Sequence, residues 1–309
     1  MRKKSSITFE LLILGTSSAT PSKNRYPSAQ LLNIQEQLFL IDCGEATQVR
    51  LFQHKIQWNQ LSHIFITHLH GDHSFGLPGL LSSMGLYNRQ HKLTLVGPEG
   101  LQEFVETSLR LSFSRINFEL EFITLDHTIS TIVLEDDELK IISFPLDHRI
   151  PCLGYRFQFN SISKKLNKEK IKKYNFSISE LKKLKNEEDI ILSNGQLIKA
   201  SEVLDVSHLQ KSFAYCSDTR YNESILPYIE NVDLLYHETT YENALQEKAY
   251  DMGHSTTLQA ATIAQKANAK CLVTGHYSSR YIELNNLLVE CQSIFPNTIL
   301  GKENLRISI

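Results

Sequence analysis

A histidine-rich stretch, FITHLHGDHSFGLPGLL, holds the residues whose types and spacing could do chemistry. Its pattern is H-x-H-x-D-H, formed by His68, His70, Asp72 and His73 directly after the apolar run HIFIT. Alternate residues of an extended chain point the same way, so His68 and His70 can share one ion. Asp72 and His73 are adjacent and can face a second ion only if the backbone turns, which Gly71 permits. Such imidazole and carboxylate ligands suit zinc, and also manganese or iron.

Two ions need more ligands than this stretch supplies, and further polar residues stand where other apolar runs end. They are Asp42, His148, Asp218, His237, Glu238, His254 and His276. Any one of them alone is most simply an ordinary loop residue, but together they form a regular supply of ligands after strands. The remaining histidines fit no such pattern and are interpreted as surface or core residues: His54, His63, His91, His127 and His208.

The elements that must position these residues are short apolar, β-branched runs such as ELLILG, LFLIDCG, KLTLVGP, LKIISFP and KCLVTGH. Most of them end in a polar, glycine or histidine cluster, as strands do when they deliver side chains to a site built from loops. Helical patterns lie between some of the runs, at residues 75–86, 99–111, 257–269 and 281–294. This interleaving predicts a layered α/β architecture.

The composition indicates a sizeable core and no general affinity for polyanions. The chain has 309 residues, is 41% hydrophobic and carries a net charge of -2, which suits one large domain or two modest ones. Five scattered cysteines without a CxxC pair predict reduced thiols in a cytoplasmic protein. The first residues imitate a signal peptide, but Glu10 interrupts the apolar run, so a first strand is predicted instead. No run is long enough for a membrane helix.

One segment breaks the α/β pattern. SISKKLNKEKIKKYNFSISELKKLK, residues 161–185, carries nine lysines and few apolar residues. A solvated helix or loop is the usual meaning of such a charge run. Since the segment stands between the strand-like runs GYRFQF and FAYCSD, we interpret it as a basic arm inserted into the fold, over approximately residues 160–210.

Taken in order, the motifs resemble those of the metallo-β-lactamase superfamily. More narrowly, they resemble those of the ribonuclease Z family, the tRNA 3′-processing endonucleases, in their short form. The metal motif is THLHGDHSFGLPGLL, and the others are IDCGEATQVRL, DHRIPCLGYRF, CSDTR, HETTYE, GHST and GHYSSRY. This resemblance runs nearly end to end. It implies a single metallo-β-lactamase-fold domain over residues 1–309, an αβ/βα sandwich of two mixed sheets flanked by helices.

The resemblance also implies a metal centre with two zinc ions per chain, manganese or another divalent metal being the alternative. The ligands of one ion would be His68, His70 and His148, those of the other Asp72, His73 and His276, with Asp218 bridging both. Asp42 would orient a ligand histidine through the ring nitrogen that does not bind metal.

The implied reaction is cleavage of precursor tRNA by a hydroxide that attacks the phosphodiester beside the two ions, leaving a 3′-hydroxyl on the tRNA and a 5′-phosphate on the trailer. Asp72 would take the proton of the attacking water, and His254, with Glu238 as its partner, would protonate the leaving oxygen. Arg280 is a candidate phosphate contact. The arm residues expected to bind tRNA phosphates are Lys164, Lys165, Lys168, Lys170, Lys172 and Lys173.

The resemblance also bears on the oligomeric state and on the arm, and two alternative interpretations of the chain remain. In the family each subunit's arm serves the other's active site, which implies a homodimer. The arm of this chain departs from the family in lacking the Gly-Pro-rich stretch that many relatives carry. Another hydrolase of the same fold, such as an arylsulfatase-like or cyclic phosphodiesterase enzyme, would share the metal motif but have less need of nine lysines. A non-enzymatic RNA-binding relative would have lost a ligand, and all seven are present.

Overall fold

The computed structural model describes residues 8–309, apart from the side chain of Ser163. The strands of this part of the chain are β1 (Phe9–Gly15), β2 (Ala29–Ile34), β3 (Gln37–Ile41), β4 (Leu61–Phe65), β5 (Leu93–Pro98), β6 (Leu120–Leu125), β7 (Thr131–Glu135), β8 (Leu139–Pro145), β9 (Leu153–Leu166), β10 (Ile190–Ile191), β11 (Leu197–Ile198), β12 (Leu204–Cys216), β13 (Leu234–Glu238), β14 (Leu272–Gly275), β15 (Thr298–Leu300) and β16 (Arg306–Ser308).

The helices are short, and most of them connect strands. They are α1 (Thr47–Gln53), α2 (Gly71–Ser74), α3 (Leu77–Leu86), α4 (Leu101–Leu111), α5 (Lys168–Ile171), α6 (Ile178–Lys185), α7 (Ala200–Val203), α8 (Leu226–Ile229), α9 (Gln246–Met252), α10 (Thr257–Lys266) and α11 (Asn285–Ile294). None of the described helices is long and apolar enough to cross a bilayer.

Two mixed sheets organise the larger of two compact units, which among the described residues comprises 8–158 and 211–309. The first sheet has the order β16-β1-β2-β3-β4-β5-β6 and the second β15-β14-β13-β12-β9-β8-β7. In the first, β3 to β6 are parallel neighbours, and in the second β12 to β15 are. Ligand sites of α/β sheets form at the carboxyl ends of such parallel strands. The predicted α/β architecture is confirmed.

Apolar side chains cover both faces of these sheets, which explains why the strands read as nearly continuous apolar runs. On the first sheet, buried side chains of α1, α3 and α4 pack in one cluster with those of β1 to β5. On the second, α8, α10 and α11 contribute to a cluster with β12 to β14. An aromatic layer joins the sheets, with the Phe65 ring 5.0 Å from Tyr155 and 5.3 Å from Phe157. The layers therefore follow the order helix, sheet, sheet, helix.

Residues 159–210 form the second compact unit. It has an apolar cluster of its own, made of Leu184, Ile190, Ile198, Ala200, Val203 and Leu204. Its helix α6 begins with a capping box, in which Ser177 and Glu180 satisfy each other's backbone N–H groups, a strong helix-start signal. The lysine-rich segment is thus helical in part and packs a small core, rather than being only a solvated loop.

The predicted helices exist, but four of their ends differ for local reasons. The helix expected from residue 75 begins at Leu77, because the chain first makes the separate turn α2, which ends at Ser74. The helix expected from residue 99 begins at Leu101, after Gly100, which has a φ of 89°. The helix expected from residue 281 begins at Asn285, since the Tyr281 carbonyl accepts a hydrogen bond from Arg25 instead. The helix expected to reach residue 269 ends at Lys266, and Asn268 adopts a left-handed conformation with φ 50°, a common helix stop.

Candidate metal centre and active site

Loops at the carboxyl ends of five strands meet in one place. Asp42 follows β3, the histidine motif follows β4, His148 follows β8, Asp218 follows β12 and His276 follows β14. Asp42 and His276 adopt positive φ values of 59° and 56°, a conformation uncommon for residues other than glycine and typical of functional sites. The sequence pattern of ligands after strands is explained by this shared edge.

Helix α2 supplies the backbone turn that Asp72 and His73, adjacent in sequence, need in order to face the same potential ion. His70 is extended, with φ -61° and ψ 149°, and the helical turn begins at the next residue, Gly71. A Cβ at Gly71 would lie 2.5 Å from the Phe75 ring, so a side chain there would displace that ring. Because the backbone changes from extended at His70 to helical at Gly71, the Asp72 side chain points in a different direction from the His70 side chain, two positions earlier.

Three histidines and one carboxylate oxygen form the first group of potential ligands. Nδ1 of His70 lies 3.0 Å from Nε2 of His68 and 3.3 Å from Nε2 of His148. Oδ2 of Asp218 lies 3.6 Å from Nε2 of His68 and 3.8 Å from Nε2 of His148. Two nitrogens bound tetrahedrally to zinc are about 3.3 Å apart, given bonds of about 2.0 Å. The group therefore has the spacing of a four-ligand site.

The second group uses the other oxygen of Asp218. Oδ1 of Asp218 lies 3.1 Å from Nε2 of His276 and 3.4 Å from Nε2 of His73. Oδ2 of Asp72 lies 3.3 Å from Nε2 of His276 and 3.5 Å from Nε2 of His73, and these two nitrogens are 3.2 Å apart. Asp218 thus presents one oxygen to each group, the arrangement expected of a bridging carboxylate.

The hydrogen-bond partners of these histidines fix which ring nitrogen carries the proton. Nδ1 of His148 donates to the Gly253 carbonyl at 2.7 Å, and Nδ1 of His73 donates to Asp42 at 2.8 Å. Nδ1 of His276 donates to the Thr240 hydroxyl at 2.9 Å, because that hydroxyl gives its own proton to Glu238. Each of these rings therefore turns the lone pair of Nε2 toward the cluster.

Lone pairs at about 3 Å from one another repel unless a cation lies between them. The side chains of His68 and His73 are fully buried, so water cannot relieve this repulsion. Burial lowers the pKa of His68 well below its ordinary value, which leaves that ring a neutral ligand. Burial alone would also lower the pKa of His73, but the surrounding Asp218, Asp42 and Asp72 raise it well above the ordinary value. The same negative field favours a metal cation, and the donor set fits two divalent ions.

Asp42 holds the metal motif in place from behind. Its carboxylate accepts hydrogen bonds from the Thr67 backbone N–H at 2.9 Å, the Thr67 hydroxyl at 2.9 Å and the Tyr215 hydroxyl at 3.1 Å, besides the one from His73. Because the Thr67 hydroxyl donates to Asp42, its oxygen can accept from Nδ1 of His68 at 3.0 Å. One buried carboxylate thereby orients a histidine of each group.

Glu238 and His254 form a buried pair beside the second group. Nδ1 of His254 lies 3.0 Å from Oε1 of Glu238. Burial alone would lower the pKa of His254, but the Glu238 and Asp218 carboxylates raise it to about 9. Burial alone would raise the pKa of Glu238, and the His254 ring holds that pKa below its ordinary value. His254 can therefore carry a proton on Nε2, the nitrogen that does not face Glu238, in the cavity that it lines.

Glu238 also ties three loops together. Its Oε1 accepts from the backbone N–H groups of Thr219 at 3.0 Å and Ser255 at 3.1 Å, and its Oε2 accepts from the Thr240 N–H at 3.1 Å and from the Thr240 hydroxyl. A carboxylate with this many donors stays ionised and fixed. Since Thr219 follows Asp218 directly, the hydrogen bonds of Glu238 hold the Asp218 loop as well as His254.

The sequence analysis missed several residues that build the site. Gly253 is one, because its φ of 79° and bare Cα let its carbonyl reach His148, and a Cβ there would lie 2.7 Å from Nδ1 of that histidine. Thr240, Thr67 and Tyr215 are others. Thr240 stands within the motif HETTYE and Thr67 within THLHGDH, so a hydroxyl beside each ligand was the available signal.

The remaining predicted site residues lie outside the metal cluster. The Arg280 guanidinium stacks 5.2 Å from the centre of the Tyr241 ring, which lies 6.0 Å from the His254 ring. The six arm lysines belong to the second compact unit. Three of them are ion-paired inside that unit: Lys164 with Glu187, Lys170 with Asp205 and Lys172 with Glu169. His237, one of the polar residues after strands, donates to the Glu238 carbonyl and is not in a ligand group.

Known proteins are similar in sequence to this chain along almost its whole length. A protein from Cytophaga hutchinsonii named Ribonuclease Z is 46% identical over 297 residues, which cover 96% of this chain and 94% of that protein. The chain belongs to the ribonuclease Z family. Residues 9–286 also match the family model described as Anti-Pycsar protein Apyc1, so the chain belongs to that domain family as well.

Solved structures agree with membership of the ribonuclease Z family. Human tRNase Z, short form, is 27% identical and superposes with a TM-score of 0.70, covering 97% of this chain and 99% of that chain. The metallo-β-lactamase fold protein YhfI from Bacillus subtilis is 18% identical, with a TM-score of 0.68 and coverage of 98% and 100%. The expected metallo-β-lactamase fold, two mixed sheets flanked by helices, is therefore confirmed.

Proposed function

We propose that the protein is an endoribonuclease that removes the 3′ trailer from precursor tRNA, leaving a tRNA 3′-hydroxyl and a 5′-phosphate on the trailer. The observation that carries the proposal is the convergence of four histidine nitrogens, from His68, His148, His73 and His276, on the two oxygens of Asp218, in a chain of the ribonuclease Z family. Two divalent ions, zinc by preference, supply positive charge for the phosphate and acidify the attacking water when bound. The cytoplasm, where free thiols and tRNA maturation belong, is the proposed compartment.

The chain's own residues then have distinct roles in this reaction. His68, His70 and His148 hold one ion, and Asp72, His73 and His276 hold the other, while Asp218 serves both. The Ala19 backbone N–H donates to Oδ2 of Asp72 at 2.6 Å, which leaves Oδ1 of Asp72 free to accept the proton of the attacking water. His254 gives its Nε2 proton to the departing ribose 3′-oxygen, and Glu238 orients the ring and maintains its charge.

A cleavage assay with metal analysis tests the proposal. The purified protein should cut a precursor tRNA once, after the last nucleotide of the mature body or close to it, with about two divalent ions bound per chain. Mapping both ends of the products verifies the 3′-hydroxyl and the 5′-phosphate. An intact precursor, together with efficient hydrolysis of an aryl sulfate or a cyclic nucleotide, would favour the other hydrolases of this fold.

Replacing His254 with alanine should separate the acid from the ligands. A nitrophenolate leaves without protonation and a ribose 3′-oxygen does not, so an acid matters only for RNA. His254→Ala should slow precursor cleavage by about 10²–10⁴-fold, slow a nitrophenyl phosphodiester much less, and retain both ions. Rates on the two substrates and metal content decide the matter. Loss of metal, or equal loss on both substrates, would return His254 to the ligands or to a structural role.

The arm lysines should bind the tRNA body rather than take part in chemistry. Lys165, Lys168 and Lys173 form no ion pair with any described residue, whereas Lys164, Lys170 and Lys172 do. Changing the unpaired three to glutamine should weaken precursor binding and reduce the slope of log affinity against log salt by about one for each lysine that binds a phosphate. The paired three, changed in the same way, are the matched control and should do less. Equal effects on tRNA and on a small phosphodiester would mean that the arm supports the site instead.

A homodimer is proposed from an exposed apolar surface on α1 and α3. Phe52 is 72% exposed, Leu86 83% and Tyr87 75%, and Gln48 joins the two helices by a hydrogen bond to Ser83. A cavity of about 360 Å³ lies between Phe52, Trp58 and Tyr87. Such a patch on a monomer is unusual, and a second copy would cover it. Sedimentation equilibrium measures the state, and a monomer at micromolar concentration would contradict this assignment.

A further inference from the structure

Phe75 is an exposed aromatic residue at the edge of the metal cluster, and the roles assigned so far do not use it. It lies two positions after His73, and 66% of its surface is exposed. Its ring lines the same cavity, of about 380 Å³, as His70, Asp72, Asp218, His254 and His276. Its position in the cavity wall beside the potential ligands, rather than its exposure alone, places the ring where a bound substrate could contact it.

The ring of Phe75 is held in place rather than free. It lies over Gly71, where a Cβ would be only 2.5–2.8 Å from three of its ring carbons. Behind it, the Phe104 ring of α4 is nearly parallel, with a centroid distance of 6.3 Å and an interplanar angle of 26°. A fixed ring costs little conformational entropy on binding, which suits a stacking surface.

The cavity has two chemically different walls. Pro21, Pro27 and Ala19 line it together with Phe75, and Pro27 packs against Gly44, next to the Asp72 backbone. His254 and Arg149 line it as well. Both lie near His148: the His254 ring is 5.3 Å from the His148 ring, and Arg149 is the next residue in the chain. Arg149 donates to the sulfur of Met252 at 3.9 Å. The lining therefore has an apolar and aromatic part around Phe75, called the apolar wall below, and a cationic part at His254 and Arg149, called the cationic wall, while the carboxylates of Glu45, Asp72 and Asp218 line the cavity as well.

We propose that Phe75 is the stacking platform for the base of the first trailer nucleotide, the one whose 5′-oxygen belongs to the phosphate that is cut. The inference rests on the proposed function. The last nucleotide of the tRNA must turn its 3′-oxygen to His254, on the cationic wall. The nucleotide on the other side of the phosphate is then directed to the apolar wall. Single-stranded RNA is bound in this way, by stacking on aromatic rings, without a strong sequence preference.

A coupling experiment on the metal-loaded protein tests this role. Steady-state kcat and KM are measured for a parent precursor tRNA, for the same RNA with an abasic first trailer nucleotide, and for one with an abasic last tRNA nucleotide. The proteins are the wild type, Phe75→Leu, Phe75→Trp and, as a matched exposed aromatic, Phe113→Leu, which is remote from the cavity. Metal content is measured for each.

Losing one stacked base typically costs about 5- to 100-fold in affinity. We expect Phe75→Leu to lower kcat/KM on the parent RNA by about this factor. On the RNA whose first trailer nucleotide is abasic, Phe75→Leu should have the same kcat/KM as the wild type. Phe75→Trp should restore the rate, and the abasic tRNA nucleotide should act independently of residue 75. Phe113→Leu should behave like the wild type.

The outcomes separate the inference from the function beneath it. If the wild type does not cut the parent precursor, the proposed function and the platform both fail. If it cuts, but the effects of Phe75→Leu and the abasic trailer nucleotide multiply, the platform alone is wrong. Coupling to the last tRNA nucleotide instead would also overturn the assignment, and so would loss of bound metal in Phe75→Leu without rescue by tryptophan.

Discussion

Asp218→Ala should lose both metal ions and essentially all precursor cleavage. Both oxygens of this carboxylate face histidine nitrogens, at 3.1–3.8 Å. Removing it therefore takes a ligand from each group and the charge that offsets two cations. Mutating a residue that merely supports a metal ligand costs about 10–100-fold in affinity or activity, so a shared ligand should cost more than about 100-fold.

Metal content by mass spectrometry and precursor cleavage by gel measure this effect. Asp126→Ala is the matched control, because Asp126 caps an exposed turn at Thr128 and touches none of the potential ligands. The control should keep two ions and full activity. Two tightly bound ions in Asp218→Ala would show that the bridging assignment is wrong.

Glu238→Gln should destabilise the protein although it changes only one atom. Both oxygens of Glu238 accept hydrogen bonds from backbone N–H groups, Oε1 from Thr219 and Ser255 and Oε2 from Thr240. An amide NH₂ must then face an N–H whichever way the glutamine turns. Leaving buried partners of a charged group unpaired should lower the free energy of unfolding by about 2–4 kcal/mol, with cleavage reduced as well.

Glu303→Gln provides the comparison. Glu303 accepts from Thr16 and Tyr26, but through Oε1 alone, so a glutamine can place its oxygen there and keep every bond. Urea unfolding of the two variants should therefore differ, with Glu303→Gln close to the wild type. Similar stabilities for both variants would contradict the conclusion that Glu238 stabilises the protein by tying three loops together.

The residues that converge in the two groups of potential ligands could be picked out from the sequence because chemistry and position coincide in them. His68, Asp218 and His276 each end an apolar run, and the family pattern supplied their pairing. The supporting residues were harder to recognise, since the place of Thr240 in HETTYE shows a nearby hydroxyl but only the fold shows that this hydroxyl lies between Glu238 and His276. Gly253 was missed for a related reason, because a glycine in a loop gives no sign that its carbonyl reaches a histidine 105 positions away.

The strands and helices could be predicted from the periodic placement of apolar residues, which also marks the residues of the core. Their ends depended on contacts distant in sequence. The hydrogen bond from Arg25 to the Tyr281 carbonyl, for example, spans 256 positions and delays α11. Because lysines dominate the basic segment, its sequence did not predict the small apolar core around Leu184 and Ile198.

The origin of the ligands in two sheets has a thermodynamic consequence. Asp72 and His73 follow a strand of the first sheet, whereas Asp218 and His276 follow strands of the second. Neither sheet holds a complete set of potential ligands, so at the proposed site an ion would bind only when the sheets are docked and, by linkage, would favour the docked state. Metal supply would then govern how much folded protein a cell keeps, because a chain short of metal spends more time open to proteolysis.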